Sequence, residues 1–237
     1  MNNWKKIILF STAALLFVVW YVGHPQSIKT SIPDFSYKYI VKTIDQGYNQ
    51  GEPVIIGLHG DGDTVNNFYE TLLDDLNLNA KIILIQGPYA YSRGYAWPIT
   101  GPELKLYGDA LADVIQQLSE KYSFTGKPML TGFSGGGKMA YYQAATHPEL
   151  FSHIIPVSGA LATKLVSENG IDPGMVKISV FHGKKDQVVP FTHGVQAVSA
   201  FENAGYDIDF TELSGGHLSV FLEGHTIFKN IIEEFYQ

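Results

Sequence analysis

The sequence predicts an α/β domain in which an open, mostly parallel sheet carries helices on both faces. Short apolar runs bounded by proline or glycine, such as residues 53–60 and 81–87, are typical of buried strands. Longer segments with apolar residues at helical spacing alternate with these runs, as crossover connections between parallel strands require. A chain of 237 residues that is 45% hydrophobic is long enough to bury one substantial core.

The predicted elements alternate along most of the chain, and the first strand is expected at the edge of the sheet. The predicted strands are 37–44, 53–60, 81–87, 128–137 with its glycine turn, 153–159, 176–183 and 207–213. The predicted helices are 65–76, 103–122, 138–147, 194–205 and 227–236. No insertion between Gly159 and Asp186 is long enough for a large lid domain, which favours an open site.

Charge and cysteine content exclude several classes of function. The net charge is −7 and the body of the chain has no basic run, which argues against a nucleic-acid partner because phosphate binding needs clustered lysine and arginine. The chain has no cysteine, and this rules out disulfides, thiolate metal sites and a cysteine nucleophile.

Residues 1–23 differ from the rest of the sequence and are interpreted as a membrane anchor or a signal segment. Lys5 and Lys6 precede an uncharged apolar run, Ile7–Val22, which as a helix would be about 24 Å long against a hydrocarbon core of about 30 Å. Aromatic residues at both ends and snorkelling lysines lengthen the effective span, so an uncleaved transmembrane anchor over residues 4–23 is favoured over a cleaved signal.

The positive-inside rule then predicts the domain on the extracytoplasmic side of the membrane, periplasmic or extracellular, or secreted if the segment is cleaved. Residues 24–34 are polar and are interpreted as a tether. The domain itself is assigned to residues 35–237.

The segment LTGFSGGGKMA, residues 130–140, fits two motifs that require different chemistry. A phosphate-binding P-loop needs a hydroxyl directly after its lysine to hold Mg²⁺, and Met139 occupies that position. A nucleophile elbow places Ser134 on a tight strand-to-helix turn, with Gly132 and Gly136 leaving space for the turn. The start of the following helix also favours developing negative charge, so the elbow is the preferred interpretation.

A serine nucleophile needs a general base, and the base needs an acid that orients it. Asp186 and His217 each follow a later predicted strand, in the chain order Ser, Asp, His that the elbow motif requires. The sequence therefore predicts a catalytic triad of Ser134, Asp186 and His217.

Other histidines and acids fit these positions less well. His225 is the main rival to His217, but it would begin the terminal helix. Glu212 lies within a predicted strand, and Asp172 precedes a Pro-Gly turn. His182 is expected to be a packed residue at a strand end.

An oxyanion hole needs two backbone N–H donors. Gly135, directly after the nucleophile, should supply one, and Asp61, in the loop after an early strand, should supply the other. The Asp-Gly-Asp run that begins at Asp61 also suggests a calcium loop, but Leu72 stands where an EF-hand requires an acid. No metal is predicted.

Four segments in this order, LHGDGDT, GFSGGG, FHGKKDQVVP and GGH, resemble the α/β-hydrolase superfamily, and most of all its compact carboxylesterase, phospholipase and acyl-protein-thioesterase branch. The resemblance extends from about Pro53 to the C-terminus. It implies hydrolysis of carboxylic esters or thioesters, from small molecules or lipids, through an acyl-enzyme on the serine and without a cofactor.

The chain departs from the pattern of this branch at two positions. An apolar residue is usual where Asp61 stands, and glutamine is frequent where Gly135 stands. A carboxylate beside the oxyanion hole would oppose the developing charge unless it points away or pairs with a cation such as Arg93. This departure concerns the class of substrate more than the type of reaction.

Residues 87–101 follow a strand and are rich in aromatic side chains. Tyr91, Tyr95 and Trp97 are candidates for a substrate-pocket wall, with aromatic packing of a long loop as the alternative.

The predicted function is that of a membrane-tethered serine esterase. The alternatives are a serine peptidase on the same fold, and a hydrolase-fold binding module that has lost activity.

Overall fold

The computed structural model describes residues 25–45, 52–99, 101–168, 174 and 176–237. Within these residues the strands are β1 (Gln26–Lys29), β2 (Ser36–Ile44), β3 (Val54–Leu58), β4 (Ala80–Ile85), β5 (Tyr89–Tyr91), β6 (Gly94–Ala96), β7 (Met129–Phe133), β8 (His153–Val157), β9 (Lys177–Gly183) and β10 (Asp207–Leu213). The helices are α1 (Val65–Leu72), α2 (Gly101–Tyr122), α3 (Gly135–Thr146), α4 (Lys164–Glu168), α5 (Phe191–Asn203), α6 (Ser219–Leu222) and α7 (His225–Phe235), with a 3₁₀ turn at Pro148–Leu150.

Eight of the described strands form one open sheet in the order β1-β2-β4-β3-β7-β8-β9-β10. The pairs β1–β2 and β2–β4 are antiparallel, and every pair from β4 to β10 is parallel. This arrangement confirms the predicted mostly parallel sheet. The two remaining strands, β5 and β6, form a separate antiparallel hairpin.

The sheet is covered on both faces, because successive side chains of each buried strand enter different hydrophobic clusters. In β3, Ile56 and Leu58 belong to one cluster and Ile55 to the other. Helices α2, α3 and α5 contribute to the cluster that contains Ile56 and Leu58. Helices α1 and α7 contribute to the cluster that contains Ile55. The predicted helices on both faces are thereby confirmed, and the sheet lies between two layers of helices.

The start of the described chain differs from the sequence-based interpretation. Gln26–Lys29, within the segment 24–34 interpreted as a tether, is strand β1 and pairs with β2, so β2 is not the edge strand. The hydroxyl of Thr30 closes the intervening turn by accepting from the N–H of Ile32 at 3.1 Å and donating to the carbonyl of Phe35 at 3.0 Å.

The predicted anchor, residues 1–23, lies outside the described residues. Among those that are described, no helix combines the length and the apolar character needed to cross a membrane.

Parallel strands end at a common edge, and ligand sites of such sheets form there. The loops after β3, β7, β8, β9 and β10 all lie at this carboxyl edge. These loops carry the residues that the sequence predicts for the oxyanion hole and the triad.

Candidate active site

Ser134 occupies a sharp turn between β7 and α3. Its φ of 53° and ψ of −110° lie in a region that residues with a side chain rarely adopt. The turn is fixed by the N–H of Ser134, which donates to the carbonyl of Val157 at 2.9 Å, and by its carbonyl, which accepts from the N–H of Lys138 at 2.9 Å. The side chain caps no helix and remains available for chemistry.

Glycine is required on both sides of this turn. A Cβ atom built on Gly132 would lie under 3.0 Å from the carbonyl group of Gly136, and one built on Gly136 would lie under 3.0 Å from the carbonyl of Leu58. Any side chain at these two positions would collide with backbone atoms, which explains the glycine spacing around Ser134.

The structure brings the three residues of the predicted triad together. His217 Nε2 lies 3.0 Å from Ser134 Oγ, and His217 Nδ1 lies 2.7 Å from Asp186 Oδ2. The carboxylate accepts a hydrogen bond from the Nδ1–H group, which leaves Nε2 free to accept one from the serine hydroxyl. Asp186 is 6% exposed, and its other oxygen accepts from the N–H groups of Val188 and Val189, each at 2.9 Å.

His182 is buried behind Asp186, at the end of β9. The sequence analysis expected a packed residue at a strand end. Its Nε2 is 2.8 Å from the carbonyl of Val189 and 3.4 Å from Asp186 Oδ2. Burial lowers the pKa of His182, with smaller opposing contributions from the Val189 carbonyl and Asp186. A neutral ring that donates to Val189 supports the turn that holds Asp186.

Two residues that the sequence analysis did not identify support the loop of His217. Ser158, at a φ of 47°, donates its hydroxyl to the carbonyl of His217 at 3.2 Å. Glu223 accepts from the hydroxyl of Ser214 at 2.5 Å and from the N–H of Gly215 at 2.6 Å. These bonds lower the pKa of the Glu223 carboxyl, the Ser214 bond most, so it accepts as a carboxylate.

The loop after β3 lies directly against the nucleophile. A Cβ atom built on Gly60 would be 3.6 Å from the Cβ of Ser134. Among the described residues, the backbone N–H groups of Asp61 and Gly135 donate to no other group. Both predicted oxyanion donors therefore belong to residues directly next to Ser134 or to the loop that contacts it, and neither has another partner in the described chain.

Buried hydrogen bonds hold this loop in place. His59 Nε2 accepts from the N–H of Gly87 at 2.9 Å, and His59 Nδ1 lies 2.7 Å from the carbonyl of Gly60. Burial lowers the pKa of His59, which the Gly60 bond and two nearby aspartates oppose more weakly, so the ring is neutral. The indole N–H of Trp97 donates to the His59 carbonyl at 2.8 Å.

The side chain of Asp61 is fixed at the start of α3. Its Oδ1 accepts from the N–H of Trp97 at 2.8 Å. A Cβ atom built on Gly135 would lie under 3.0 Å from all three atoms of the carboxylate, so a side chain at this position requires the Asp61 carboxylate to move. The suggested ion pair with Arg93 is wrong, since no cation of the described chain lies within ion-pair distance of Asp61.

The aromatic segment forms the hairpin β5–β6, which packs on the loop after β3. The N–H of Gly62 donates to the carbonyl of Tyr95 at 2.8 Å, and the N–H of Tyr95 to the carbonyl of Asp63 at 2.9 Å. Tyr91 is 59% exposed and Tyr95 is partly buried, whereas Trp97 is 1% exposed. Trp97 is therefore a core residue, and its assignment to a pocket wall is corrected.

The rival candidates lie away from Ser134 or outside the described residues. His225 begins α7 and lies 3.5 Å from Asp75. Glu212 pairs with Lys184 at 2.7 Å on an exposed part of the sheet. Asp172 lies outside the described residues.

Comparison with known families identifies the family of the chain. The model of the phospholipase/carboxylesterase family matches residues 109–232, just over half of the chain. The chain belongs to this family. The predicted superfamily branch and the predicted carboxylic ester hydrolase are thereby confirmed. No curated protein matches this chain.

Solved structures share the fold of this phospholipase/carboxylesterase family member at low sequence identity. Esterase PE8 is 20% identical, with 88% of this chain and 100% of that chain covered and a TM-score of 0.69. Acyl-protein thioesterase 2 from Zea mays is 19% identical, with 90% and 99% covered and a TM-score of 0.64. A carboxylesterase from Mesorhizobium loti is 14% identical, with 88% and 97% covered and a TM-score of 0.68.

Proposed function

We propose that this chain hydrolyses carboxylic esters or thioesters through an acyl-enzyme on Ser134. The observation that carries the proposal is the continuous set of contacts from Ser134 Oγ to His217 Nε2, at 3.0 Å, and from His217 Nδ1 to Asp186 Oδ2, at 2.7 Å. This set of contacts lies next to the backbone N–H groups of Asp61 and Gly135, which have no hydrogen-bond partner in the described chain. A nucleophile, a base, an acid and an oxyanion site in contact are what acyl transfer requires.

In the acylation half, His217 Nε2 takes the proton of Ser134 as Oγ attacks the carbonyl carbon. The carbonyl π pair moves onto oxygen, where the N–H groups of Asp61 and Gly135 stabilise the negative charge. Asp186 stabilises the imidazolium of His217 without taking up its proton. The bond to the alcohol or thiol then breaks, and the leaving group receives the proton from His217.

In the deacylation half, a water replaces the departed alcohol or thiol. His217 removes a proton from this water as its oxygen attacks the acyl carbon, and the same oxyanion donors act again. Collapse of the tetrahedral intermediate breaks the bond to Ser134 Oγ, which regains its proton from His217. One ester and one water give one acid and one alcohol, with no cofactor.

The substrate is proposed to be a short or surface-presented ester of a small molecule or a lipid. The connection between β8 and β9 is too short in sequence for a separate lid domain, and its described part carries the short helix α4. The thioester alternative is kept open because one solved structure with this fold is an acyl-protein thioesterase.

Pre-steady-state hydrolysis of p-nitrophenyl acetate by the full chain in detergent tests the proposal. We expect a burst of one p-nitrophenolate per chain, lost in Ser134→Ala and retained in Ser199→Ala. Ser199 is an exposed serine of α5 and serves as the matched control. A folded chain without a burst would favour the inactive binding module, and cleavage of peptides in place of esters would favour the peptidase.

The location of the domain is a second proposal, supported by sequence alone. Residues 4–23 would anchor the chain with Lys5 and Lys6 in the cytoplasm and the domain outside it. Because the chain has no cysteine, single introduced cysteines report topology cleanly. In intact cells, a membrane-impermeant maleimide should label the Ser199→Cys variant but not the Asn3→Cys variant. Both variants should remain in the membrane fraction after carbonate extraction. Labelling of neither, or of both, would contradict this topology.

A further inference from the structure

We propose that the Asp61 carboxylate and the ring of Tyr91 form a subsite that selects esters carrying a cationic ammonium group near the scissile bond. This inference rests on the proposed ester hydrolysis and names the substrate class of the same site. It follows from the position of one carboxylate, from its lack of a cationic partner in the described chain, and from an exposed aromatic ring against the next residue of the same loop, Gly62.

The carboxylate lies at the reacting centre. All three of its atoms are under 3.0 Å from the Cβ position of Gly135, the residue directly after the nucleophile. The preceding residue, Gly60, approaches Ser134 itself. A substrate whose carbonyl is held by the N–H groups of Asp61 and Gly135 therefore brings its neighbouring atoms to this carboxylate.

The charge of Asp61 is not neutralised by the protein. Oδ1 accepts from the N–H of Trp97, and Oδ2 has no hydrogen-bond partner in the described part of the chain. The residue is exposed, and no described lysine, arginine or histidine pairs with it. A negative charge here repels the oxyanion of the transition state. A cationic group on the substrate would offset this repulsion, whereas a neutral substrate has nothing to offset it.

An aromatic ring lies beside the same loop. Two ring carbons of Tyr91, Cδ1 and Cε1, are 3.7 and 3.8 Å from the Cβ position of Gly62, the residue next to Asp61. Tyr91 is 59% exposed and leaves much of its ring to solvent. An aromatic face together with a carboxylate is the combination that binds ammonium groups, whereas an anionic substrate would be repelled.

The alternative is that Asp61 serves only to tie the Trp97 loop to the loop after β3. The substitution Asp61→Asn separates the two roles. Its amide oxygen can still accept from the N–H of Trp97, but the charge is removed. The matched control is Asp74→Asn, which removes one exposed carboxylate just after α1, at the opposite edge of the sheet.

The test compares isosteric esters that differ only in a quaternary nitrogen or carbon. Acetylcholine and 3,3-dimethylbutyl acetate place the charge on the alcohol, and the ethyl esters of betaine and 3,3-dimethylbutanoic acid place it on the acyl group. For each pair, the ratio of kcat/KM for the cationic to the neutral ester is compared between the parent chain and each variant, which cancels intrinsic reactivity.

We expect Asp61→Asn to lower this ratio about tenfold in at least one pair, equivalent to roughly 1.4 kcal/mol, because the contact between the carboxylate and the cationic group is lost. Asp74→Asn should leave the ratio unchanged. Tyr91→Leu should lower it about threefold and Tyr91→Phe should preserve it, since phenylalanine keeps the aromatic face.

If Asp61→Asn left the ratio of kcat/KM for the cationic to the neutral ester unchanged in both pairs, the proposed subsite would be overturned. The proposed ester hydrolysis would still stand. Loss of activity on all four esters equally would assign Asp61 to the structural tether alone. A parent chain that hydrolyses none of them and shows no burst would contradict the proposed function, and the subsite with it.

Discussion

The two sides of Ser134 differ in how their polar groups are satisfied. On one side, the triad side, Asp186, His217 and Glu223 find their partners within the protein. On the other, the oxyanion side, two backbone N–H groups and one oxygen of Asp61 have no partner in the described chain. The difference indicates that the triad side is fixed before substrate arrives, whereas the oxyanion side is left to be completed by it.

The largest effect is expected where the two sides meet. Ser134→Ala and His217→Ala should each lower kcat by about 10⁴-fold or more, and the double variant should lose little beyond either one, because the residues act as a unit. Steady-state ester hydrolysis measures this, with thermal unfolding as the check on folding. Additive losses would contradict a shared proton-transfer step.

On the triad side, Asp186→Asn should lower kcat by about 10³- to 10⁴-fold, because an amide no longer fixes the tautomer of His217 or stabilises its charge. The backbone bonds from Val188 and Val189 can persist to the amide oxygen. The variant should therefore retain its fold, as judged by near-UV circular dichroism. Near-parental activity would assign the acid role elsewhere.

On the oxyanion side, Gly135→Ala should lower kcat/KM by about 10- to 100-fold, because its methyl group collides with the Asp61 carboxylate and shifts an oxyanion donor. The double variant Asp61→Ala/Gly135→Ala removes the colliding atoms and should recover part of the loss. A double-mutant cycle on a neutral ester measures this coupling. Strictly additive effects would mean that the two residues do not interact.

A smaller effect is expected behind His217. Ser158→Ala removes one hydrogen bond to the His217 carbonyl, at 3.2 Å, and should lower kcat about fivefold with little change in KM. The pH profile of kcat should keep its shape, since no titrating group is lost. A change in KM alone would place Ser158 in substrate binding instead.

The smallest effect concerns stability and involves both sides, because His59 and His182 each lie behind one of them. Burial lowers both pKa values below the unfolded value of 6.5. The unfolded chain therefore binds more protons below pH 6.5, and the free energy of unfolding should fall as the pH drops from 6.5 toward the lowered values. Each histidine contributes a slope of at most about 1.4 kcal/mol per pH unit.

Urea denaturation between pH 8 and 5 measures this slope, and His182→Asn should make it shallower. A slope that is the same in parent and variant would show that His182 does not titrate differently on folding.

Much of the fold could be predicted from the sequence, because its signals are local. The buried strands are short apolar runs with glycine or proline at their ends, and the chain order of Ser134, Asp186 and His217 follows the order of the strands. Strand β1 was missed because Gln26–Lys29 is short and mostly polar, with alternating partial burial at a sheet edge. Such a segment has the composition of a linker.

The supporting contacts could not be predicted in the same way, because they depend on three-dimensional packing. Ser158 reaches the His217 carbonyl across 59 positions of sequence. The burial of Trp97 depends on its bonds to His59 and Asp61, which no local pattern reveals. The fit between Asp61 and Gly135 shows in the sequence only as two departures from the pattern of the compact branch, and their contact explains why they occur together.

The central claim is that His217 activates Ser134 as a nucleophile. Labelling of the full chain with a fluorophosphonate, read by intact mass, tests it most directly. We predict one adduct on the parent chain, none on Ser134→Ala, and greatly slowed labelling of His217→Ala. A folded parent chain that stays unlabelled, or a Ser134→Ala variant that is labelled as fast as the parent, would contradict the claim.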